Sequence, residues 1–192
     1  MTTIYLIRHA QAEEKKDTQR AKLTASGIKQ AETLAKRLKD TQIDVFYASS
    51  YQRGKRTAEI VSKFHEENIL ESRETLSEVY FKVKKRVSLG VFKELKNFYT
   101  QNEVEQIKNL LQAQKRAMRF IDHLFKKYPG KNIAVVTHGN IIKAIILGIL
   151  DLELSSFFRF NIFEASITII QGTDRDNAKI ISVNDTYHLK NL

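Results

Sequence analysis

The sequence contains no cysteine. This absence excludes disulfide bonds, thiolate nucleophiles, and zinc or iron–sulfur sites held by cysteine. Long hydrophobic runs are also missing, and the longest apolar stretches are far too short to span a bilayer as a helix. The first residues lack the basic region, apolar segment and small-residue cleavage site of an export signal. We therefore expect a cytoplasmic protein without a membrane span.

Motifs for several common nucleophiles and cofactors are absent as well. The chain has no Gly-x-Ser-x-Gly nucleophile motif and no Walker-type phosphate loop. The histidines His65, His123 and His188 do not have metal-ligand spacing with one another. The sequence therefore predicts neither a bound metal nor a cofactor.

The composition is that of an ordinary globular protein with an excess of positive charge. The 192 residues, 42% hydrophobic and 28% charged, suffice for one domain with its own core, which we expect to span residues 1–192. The formal net charge is +10. Such a charge is compatible with a polyanionic partner, an acidic membrane surface, small anionic substrates, or solubility alone. Composition does not separate these interpretations.

Short apolar runs alternate with amphipathic segments along the chain. The runs predict strands that begin at Ile4, at 45–48 and at 133–137, with later strands at 165–170 and 179–183. Periodicity predicts helices at about 24–39, 52–65, 103–127 and 140–150, the second of them burying Phe64, and residues 69–78 predict an irregular or edge segment. The alternation predicts an α/β fold, a three-layer α/β/α sandwich with a largely parallel central sheet.

Polar side chains follow the predicted strands at the edge where parallel sheets bind ligands. Arg8 and His9 end the first strand, and His138 follows the strand at 133–137. Arg53 lies in the first turn of a predicted helix, where a cation opposes the helix dipole unless an anion is bound. A guanidinium fork beside an imidazole suits a phosphate-like anion. The sequence therefore predicts an anion site at this edge of the sheet.

Five elements of the chain resemble the histidine phosphatase superfamily, also called phosphoglycerate mutase-like. In order, they are Arg8-His9-Ala10, Leu23-Thr24 with Gly27 and Gln30-Ala31, Ser49-Ser50 with Arg53 and Thr57-Ala58, Leu76-Ser77-Glu78, and Thr137-His138-Gly139. The family patterns are Arg-His-Gly, Leu-Thr-x-x-Gly-x-x-Gln-Ala, Ser-Pro-Leu-x-Arg-Ala-x-x-Thr-Ala, Leu-x-Glu and Ser/Thr-His-Gly. Their shared order over nearly the whole chain makes a chance match very improbable.

The resemblance implies a role for each residue of the predicted site. His9 would attack phosphorus and form a transient phosphohistidine, and its other ring nitrogen would donate to a backbone carbonyl. Arg8, Arg53 and His138 would surround the transferring phosphoryl group, with Gly139 among the substrate-binding residues. These residues come from separate parts of the sequence, so the fold must bring them together.

The proton donor and two substrate-binding positions are less closely specified. The resemblance implies that Glu78 protonates the leaving oxygen and later accepts a proton from water. Glu74 and Glu71 are nearby alternatives for this role. Gln11 and Lys15 stand where many members have an acidic residue and an asparagine that touch the phosphate, and we expect them to bind substrate.

The chain departs from the family pattern in two places. Ala10 replaces the usual glycine, which is similar to the Arg-His-Ala-x-Ala form of the small phosphohistidine phosphatases. After Glu78 the family often has glycines and a Trp-Glu-Gly turn, whereas this chain has a basic insertion or flap at about 79–100 with interleaved aromatic residues. Because this region ordinarily shapes substrate choice, the natural substrate is left open.

The predicted reaction is metal-independent hydrolysis of a phosphomonoester or phosphoprotein through a phosphohistidine on His9. One alternative is phosphoglycerate mutase-type transfer, which is disfavoured because such mutases are usually longer. A second is a catalytically weak binding or scaffold protein that recognises an acidic partner. Nucleic-acid binding through the basic segment is disfavoured because no recognised motif is present. The oligomeric state is open, with a homodimer as one option.

Overall fold

The computed structural model describes residues 1–14, 18–65, 70–81 and 100–192. Within these residues the strands are β1 (Thr2–Arg8), β2 (Val45–Ser49), β3 (Leu70–Arg73), β4 (Asn132–Thr137), β5 (Ile167–Gly172) and β6 (Lys179–Asp185). The α-helices are α1 (Ala25–Leu38), α2 (Gln52–Val61), α3 (Gln101–Lys127) and α4 (Gly139–Ile149). Strands and helices therefore alternate over most of the described chain.

The strands form one sheet in the order β3-β2-β4-β1-β5-β6. The first four of these run parallel to one another, whereas β5 pairs antiparallel with both β1 and β6. In the register between β1 and β4, Arg8 lies opposite Thr137. Because a histidine follows each of these residues, His9 and His138 leave the sheet side by side at its carboxyl edge.

Alternate residues of the strands face two separate cores. On one face, Ile4 and Leu6 of β1 pack with the apolar sides of α3 and α4. On the other face, Ile7 of β1 and Val136 of β4 pack with α1 and α2. Both faces of the parallel strands are thus covered by helices. The predicted three-layer α/β/α architecture is confirmed.

The N-terminus of α1 is held against the chain that leaves β1. Thr24 caps the helix, and its hydroxyl accepts a hydrogen bond from the backbone N–H of Gly27. Gly27 lies so close to Gln11 that a Cβ would sit 1.9 Å from the Gln11 carbonyl oxygen. Because no larger residue fits there without movement, Gly27 lets α1 support the backbone just beyond His9.

The longest helix, α3, begins at Gln101, two residues before the predicted start. Thr100 and Glu103 form a capping box, in which each side chain accepts a backbone N–H of the other residue. The helix ends at Lys127 as predicted, and Gly130 follows with a φ of 75°. Among the helices in the described ranges, α3 included, none is both long and apolar enough to cross a membrane.

The predicted burial of Phe64 is wrong, and the start of one predicted strand is shifted by two residues. The second helix ends at Val61, and Ser62–Phe64 form a 3-10 turn whose tighter winding takes Phe64 off the apolar face. Phe64 is therefore 53% exposed rather than buried. The strand expected from residue 165 begins at Ile167, because Ala165 has a φ of 53° and cannot extend it.

The segments flanking the predicted basic flap are partly described. The irregular or edge segment expected at 69–78 contains β3, which lies at one end of the sheet. Val79 and Phe81 are buried, and the Phe81 ring stacks on Phe158 with centroids 5.5 Å apart. Residues 82–99, which make up most of the predicted flap, lie outside the described residues.

Candidate active site

His9 lies directly after β1, and only 6% of its surface is exposed. Its backbone N–H donates to the carbonyl of Thr137 over 2.9 Å, and its carbonyl accepts from the N–H of Ala165 over 3.2 Å. Its side-chain Nδ1 lies 2.8 Å from the carbonyl oxygen of Ala10. Since a carbonyl can only accept, Nδ1 carries the proton and Nε2 is the unprotonated nitrogen.

Arg53 connects the two histidines. It lies in the first turn of α2 and is 7% exposed. Its Nε donates to Nε2 of His9 over 2.9 Å, and its Nη2 donates to Nδ1 of His138 over 3.1 Å. The Arg53 Cζ also lies 5.1 Å from the centre of the Tyr51 ring. One guanidinium therefore faces two imidazole lone pairs.

His138 is fully buried at the N-cap of α4. Because its Nδ1 accepts from Arg53, its proton is on Nε2, which donates to Oγ of Ser49 over 2.7 Å. The rings of His9 and His138 have centroids 5.0 Å apart and an interplanar angle of 63°. The two predicted histidines thus lie next to each other.

Burial keeps both imidazoles neutral. It lowers the pKa of His9 to about 3, an effect opposed by the hydrogen bond to Ala10 and increased by Arg53 and Arg8. Burial also holds the pKa of His138 well below its ordinary value, and the neighbouring His9 and Arg53 lower it further. A neutral imidazole with an unprotonated Nε2 is the form that can act as a nucleophile.

Arg8 extends from the end of β1 along the start of α4. A Cβ on Gly139 would lie 3.5 Å from both Cδ and Nε of Arg8. Nη1 of Arg8 donates to the carbonyl of Ile162 over 2.6 Å, and Nη2 of Arg8 lies 3.4 Å from Oε1 of Glu164. Its Nε is buried and has no hydrogen-bond partner among the described residues. A bound anion would satisfy this donor.

Glu78 lies near enough to Arg53 and Arg8 for their charges to act on its carboxyl group. Its side chain is partly buried, and Oε1 accepts from the backbone N–H of Val79 over 3.0 Å. Burial raises the pKa of Glu78 to about 7, while the Val79 hydrogen bond and the charges of Arg53 and Arg8 act in the opposite direction. Near neutral pH this carboxyl group can therefore both give and take a proton.

Glu71 and Glu74, the alternative proton donors, have different surroundings. Glu71 forms ion pairs with Arg73 and, over 3.9 Å, with Lys127. Glu74 is exposed in the turn that follows β3. The electrostatic neighbours of Glu78, by contrast, include the two arginines of the pocket. The geometry thus favours Glu78 among the three.

Side chains from three elements hold the segment that carries Glu78. Arg116 of α3 donates from Nε to the carbonyl of Thr75 over 3.2 Å and from Nη2 to the carbonyl of Ser77 over 2.6 Å. Two further side chains hold the same segment: Thr137 donates to the Leu76 carbonyl over 2.7 Å, and Asn140 donates to the Val79 carbonyl over 2.9 Å. The position of the carboxyl group is therefore set by the tertiary fold.

Comparison with known families shows where the chain belongs. The profile of the histidine phosphatase superfamily (branch 1) matches residues 4–186. The chain belongs to this superfamily. The family predicted from the five sequence elements is confirmed, and so is the predicted class of enzyme, a phosphatase of that superfamily.

Two curated relatives of this histidine phosphatase match over nearly their whole length. Phosphoserine phosphatase 1 of Hydrogenobacter thermophilus is 26% identical over 207 aligned positions, which cover 98% of this chain and 95% of that protein. The metal-independent phosphoserine phosphatase of Arabidopsis thaliana is 29% identical, with 100% of this chain and 85% of that protein covered. The similarity therefore extends over nearly the whole chain.

Solved structures show the same fold. A phosphoserine phosphatase of Entamoeba histolytica, crystallised with 3-phosphoglyceric acid, superposes with a TM-score of 0.76 at 23% identity, covering 98% of this chain and 100% of that one. Bacillus stearothermophilus YhfR superposes with a TM-score of 0.78 at 22% identity, covering 99% and 100%. The arrangement of strands and helices is thus that of known phosphatases.

Gln11 and Lys15 are the two further positions at which the sequence predicts substrate binding, and the structure describes only Gln11. The side-chain oxygen of Gln11 accepts from the Thr24 hydroxyl over 2.7 Å, and its backbone N–H donates to Gln30 over 2.8 Å. These bonds tie Gln11 to α1, and its contact with substrate stays a prediction. Lys15 lies outside the described residues.

Sequence reasoning missed the residues that position the site. Arg116 is one such residue, and Thr57 is another, since its hydroxyl accepts from the N–H of Ala10 and donates to the carbonyl of Arg53. A signal for Arg116 was available: it lies next to the buried Ala117 and is itself partly buried, at the border of the apolar face of α3, where a charged residue needs partners. Over the described ranges, no cluster of histidine and acidic side chains has the geometry of a metal site.

Proposed function

We propose that this histidine phosphatase hydrolyses a phosphomonoester through a phosphohistidine formed on Nε2 of His9. The observation that carries the proposal is the hydrogen bond from Nδ1 to the Ala10 carbonyl, which leaves Nε2 unprotonated beside Arg53. A buried nucleophile next to a fixed guanidinium suits attack on a phosphoryl group, whose oxygens the guanidinium can bind.

The phosphoryl group would bind between Arg8, Arg53 and His138. The donors of Arg53 that now face the two imidazoles can also bind phosphate oxygens, and the buried Nε of Arg8 has no other described partner. Negative charge spreads over the equatorial oxygens during transfer, so fixed donors around them stabilise the transition state. We assign this role to the guanidiniums of Arg8 and Arg53, and His138 holds Arg53 in position by accepting its Nη2 hydrogen bond.

Glu78 would move the proton in both half-reactions. In the first, a bond forms between Nε2 of His9 and phosphorus, the ester P–O bond breaks, and protonated Glu78 gives its proton to the leaving oxygen. In the second, the Glu78 carboxylate takes a proton from water as the water oxygen attacks phosphorus and the P–N bond breaks. Inorganic phosphate and a proton-bearing Glu78 result, which restores the starting state.

The substrate class that we propose is a phosphorylated small molecule. Relatives from Hydrogenobacter thermophilus and Arabidopsis thaliana carry the name phosphoserine phosphatase, so phosphoserine is the first compound to test. The net charge of +10 favours the approach of a dianionic substrate. A phosphoprotein is the alternative substrate, and parallel assays on phosphopeptides distinguish the two.

The test is hydrolysis of p-nitrophenyl phosphate in a chelating buffer. We expect turnover in the wild-type protein, an acid-labile phosphohistidine after rapid quenching, and loss of both in His9→Ala. The matched control is His123→Ala, because His123 is exposed on α3. Turnover that persists in His9→Ala, or a wild-type protein that neither hydrolyses the ester nor becomes phosphorylated, would contradict the proposal.

A further inference from the structure

Lys143 lies next to the site on α4, and the mechanism above makes no use of it. Gly139, the first residue of this helix, faces the side chain of Arg8 at van der Waals distance. Residues four apart share a helix face, so Lys143 lies on the same side as Gly139, about 6 Å further along the helix axis. The side chain of Lys143 is half-buried. Lys143 therefore places a second positive charge near the site, further along α4 than the contact with Arg8.

Two aromatic rings hold the Lys143 ammonium in place. Its Nζ lies 5.0 Å from the centre of the Phe157 ring and 5.6 Å from that of Phe160. The same stretch of chain supplies the Ile162 carbonyl that binds Arg8. Residues 157–162 therefore hold the side chains of both Arg8 and Lys143, so the distance between the two charges varies little.

The charge of Lys143 is not neutralised by any ion pair among the described residues. Burial lowers the pKa of Lys143, and Arg8 lowers it further, whereas Glu78 raises it. A partly desolvated ammonium beside another cation is unfavourable unless an anion binds near it. Glu78 cannot serve as that anion while it is protonated for catalysis.

We propose that Lys143 binds a carboxylate of the substrate, located a few bonds from the phosphate ester. The inference rests on the proposed phosphatase function and narrows its substrate class to phosphorylated hydroxy or amino acids. Arg8 would bind the phosphate and Lys143 the carboxylate. We choose a carboxylate as the ligand because it carries one negative charge, which complements the single positive charge of the ammonium next to the Phe157 and Phe160 rings.

The test compares O-phosphoserine with O-phosphoethanolamine, which has the same ester and amine but no carboxylate. We expect the wild-type protein to prefer phosphoserine in kcat/KM by about tenfold or more, the usual effect of one charge-assisted hydrogen bond. In Lys143→Met this preference should fall to near unity, chiefly through a higher KM for phosphoserine. Lys143→Arg should retain most of it.

The control is Lys126→Met, which removes the same charge from the exposed last turn of α3 and should leave the preference unchanged. Circular dichroism checks that each variant is folded. Inhibition of p-nitrophenyl phosphate hydrolysis by each of the two esters checks that the variant binds them.

The outcomes separate this inference from the function on which it rests. A wild-type enzyme that hydrolyses p-nitrophenyl phosphate but does not distinguish the two esters overturns the role of Lys143 alone. An equal loss of kcat/KM for both esters in Lys143→Met also overturns the role of Lys143, because replacing a lysine that serves only the structure would have that effect. A wild-type protein without hydrolysis and without phosphohistidine overturns the function, and the inference with it.

Discussion

A buried arginine between two neutral histidines is the central feature of the site at the scale of single residues. Arg53 donates to both rings, and burial together with nearby cations holds the pKa of each imidazole below its ordinary value. The arrangement costs free energy when no anion is bound, because the cations are removed from water. A bound phosphate would offset this cost. The donors are already fixed in position, so they would not have to reorganise during transfer.

The first residue-scale prediction concerns Arg53→Lys. One ammonium cannot replace the two separate donors that face His9 and His138, so charge is conserved while the geometry is lost. We expect kcat for p-nitrophenyl phosphate to fall about 100- to 1,000-fold, as after loss of a fixed transition-state donor. Arg56→Lys, on the exposed side of α2, is the control and should retain full activity.

The pH dependence of activity follows from Glu78. Its pKa of about 7 means that the proton needed by the leaving group is present below pH 7 and lost above it. With an alkyl phosphate, kcat/KM should fall about tenfold per pH unit well above pH 7. His9 stays neutral down to about pH 3, so it does not limit activity near neutrality.

Glu78→Gln should remove this alkaline limb. The variant should also lose more activity on an alkyl phosphate than on p-nitrophenyl phosphate, whose leaving group needs less protonation. An unchanged pH profile in the variant would show that another group supplies the proton.

At the scale of secondary-structure elements, the site forms where strand ends meet helix starts. His9 follows β1, His138 starts α4, and Arg53 lies in the first turn of α2. The adjacent parallel strands β1 and β4 set the separation of the histidines. The segment with Glu78 has little regular structure of its own, so bonds from α3, β4 and α4 have to hold it.

The element-scale prediction concerns Arg116→Met. Without its bonds to the Thr75 and Ser77 carbonyls, the segment should loosen and Glu78 should lose its position. We expect kcat for an alkyl phosphate to fall at least tenfold, with a smaller fall for p-nitrophenyl phosphate and little change in KM. The control is Arg119→Met, which removes an exposed arginine from the same helix.

A purely structural role for Arg116 would give a different result. Both esters would then lose activity in proportion to the unfolded fraction, which urea denaturation measures.

At the scale of the whole molecule, the net charge of +10 exceeds what the site itself contributes. A positive field around the protein raises the local concentration of anionic substrates and their rate of encounter. Salt screens this field, with a Debye length of about 10 Å at 0.1 M and 30 Å at 0.01 M.

The prediction at this scale is a salt effect on kcat/KM. Raising sodium chloride from 20 to 200 mM should lower kcat/KM for a dianionic phosphate ester severalfold, while kcat changes little because the buried site is screened less. Steady-state kinetics at constant pH measure both. Salt independence of kcat/KM would mean that the excess charge serves another purpose.

The sequence by itself determined the fold class and the residues that meet at the sheet edge. Period-two and period-3.6 patterns are local, and parallel strands place Arg8, His9 and His138 at one edge whatever the loops do. Arg53 was predictable for the same reason, since its helix starts at that edge. Local patterns did not reveal where α2 tightens, so Phe64 was misplaced.

Only the tertiary structure decided the chemical state of the site. The protonated nitrogen of His9 depends on the direction of the Ala10 carbonyl, and the choice of Glu78 depends on which carboxyl group is buried near arginines. Arg116 reaches carbonyls 41 and 39 residues away in sequence. Lys143 feels the charge of Arg8 only because the start of α4 packs against the Arg8 side chain. Burial and distant contacts set pKa values and side-chain positions, and neither is encoded in local spacing.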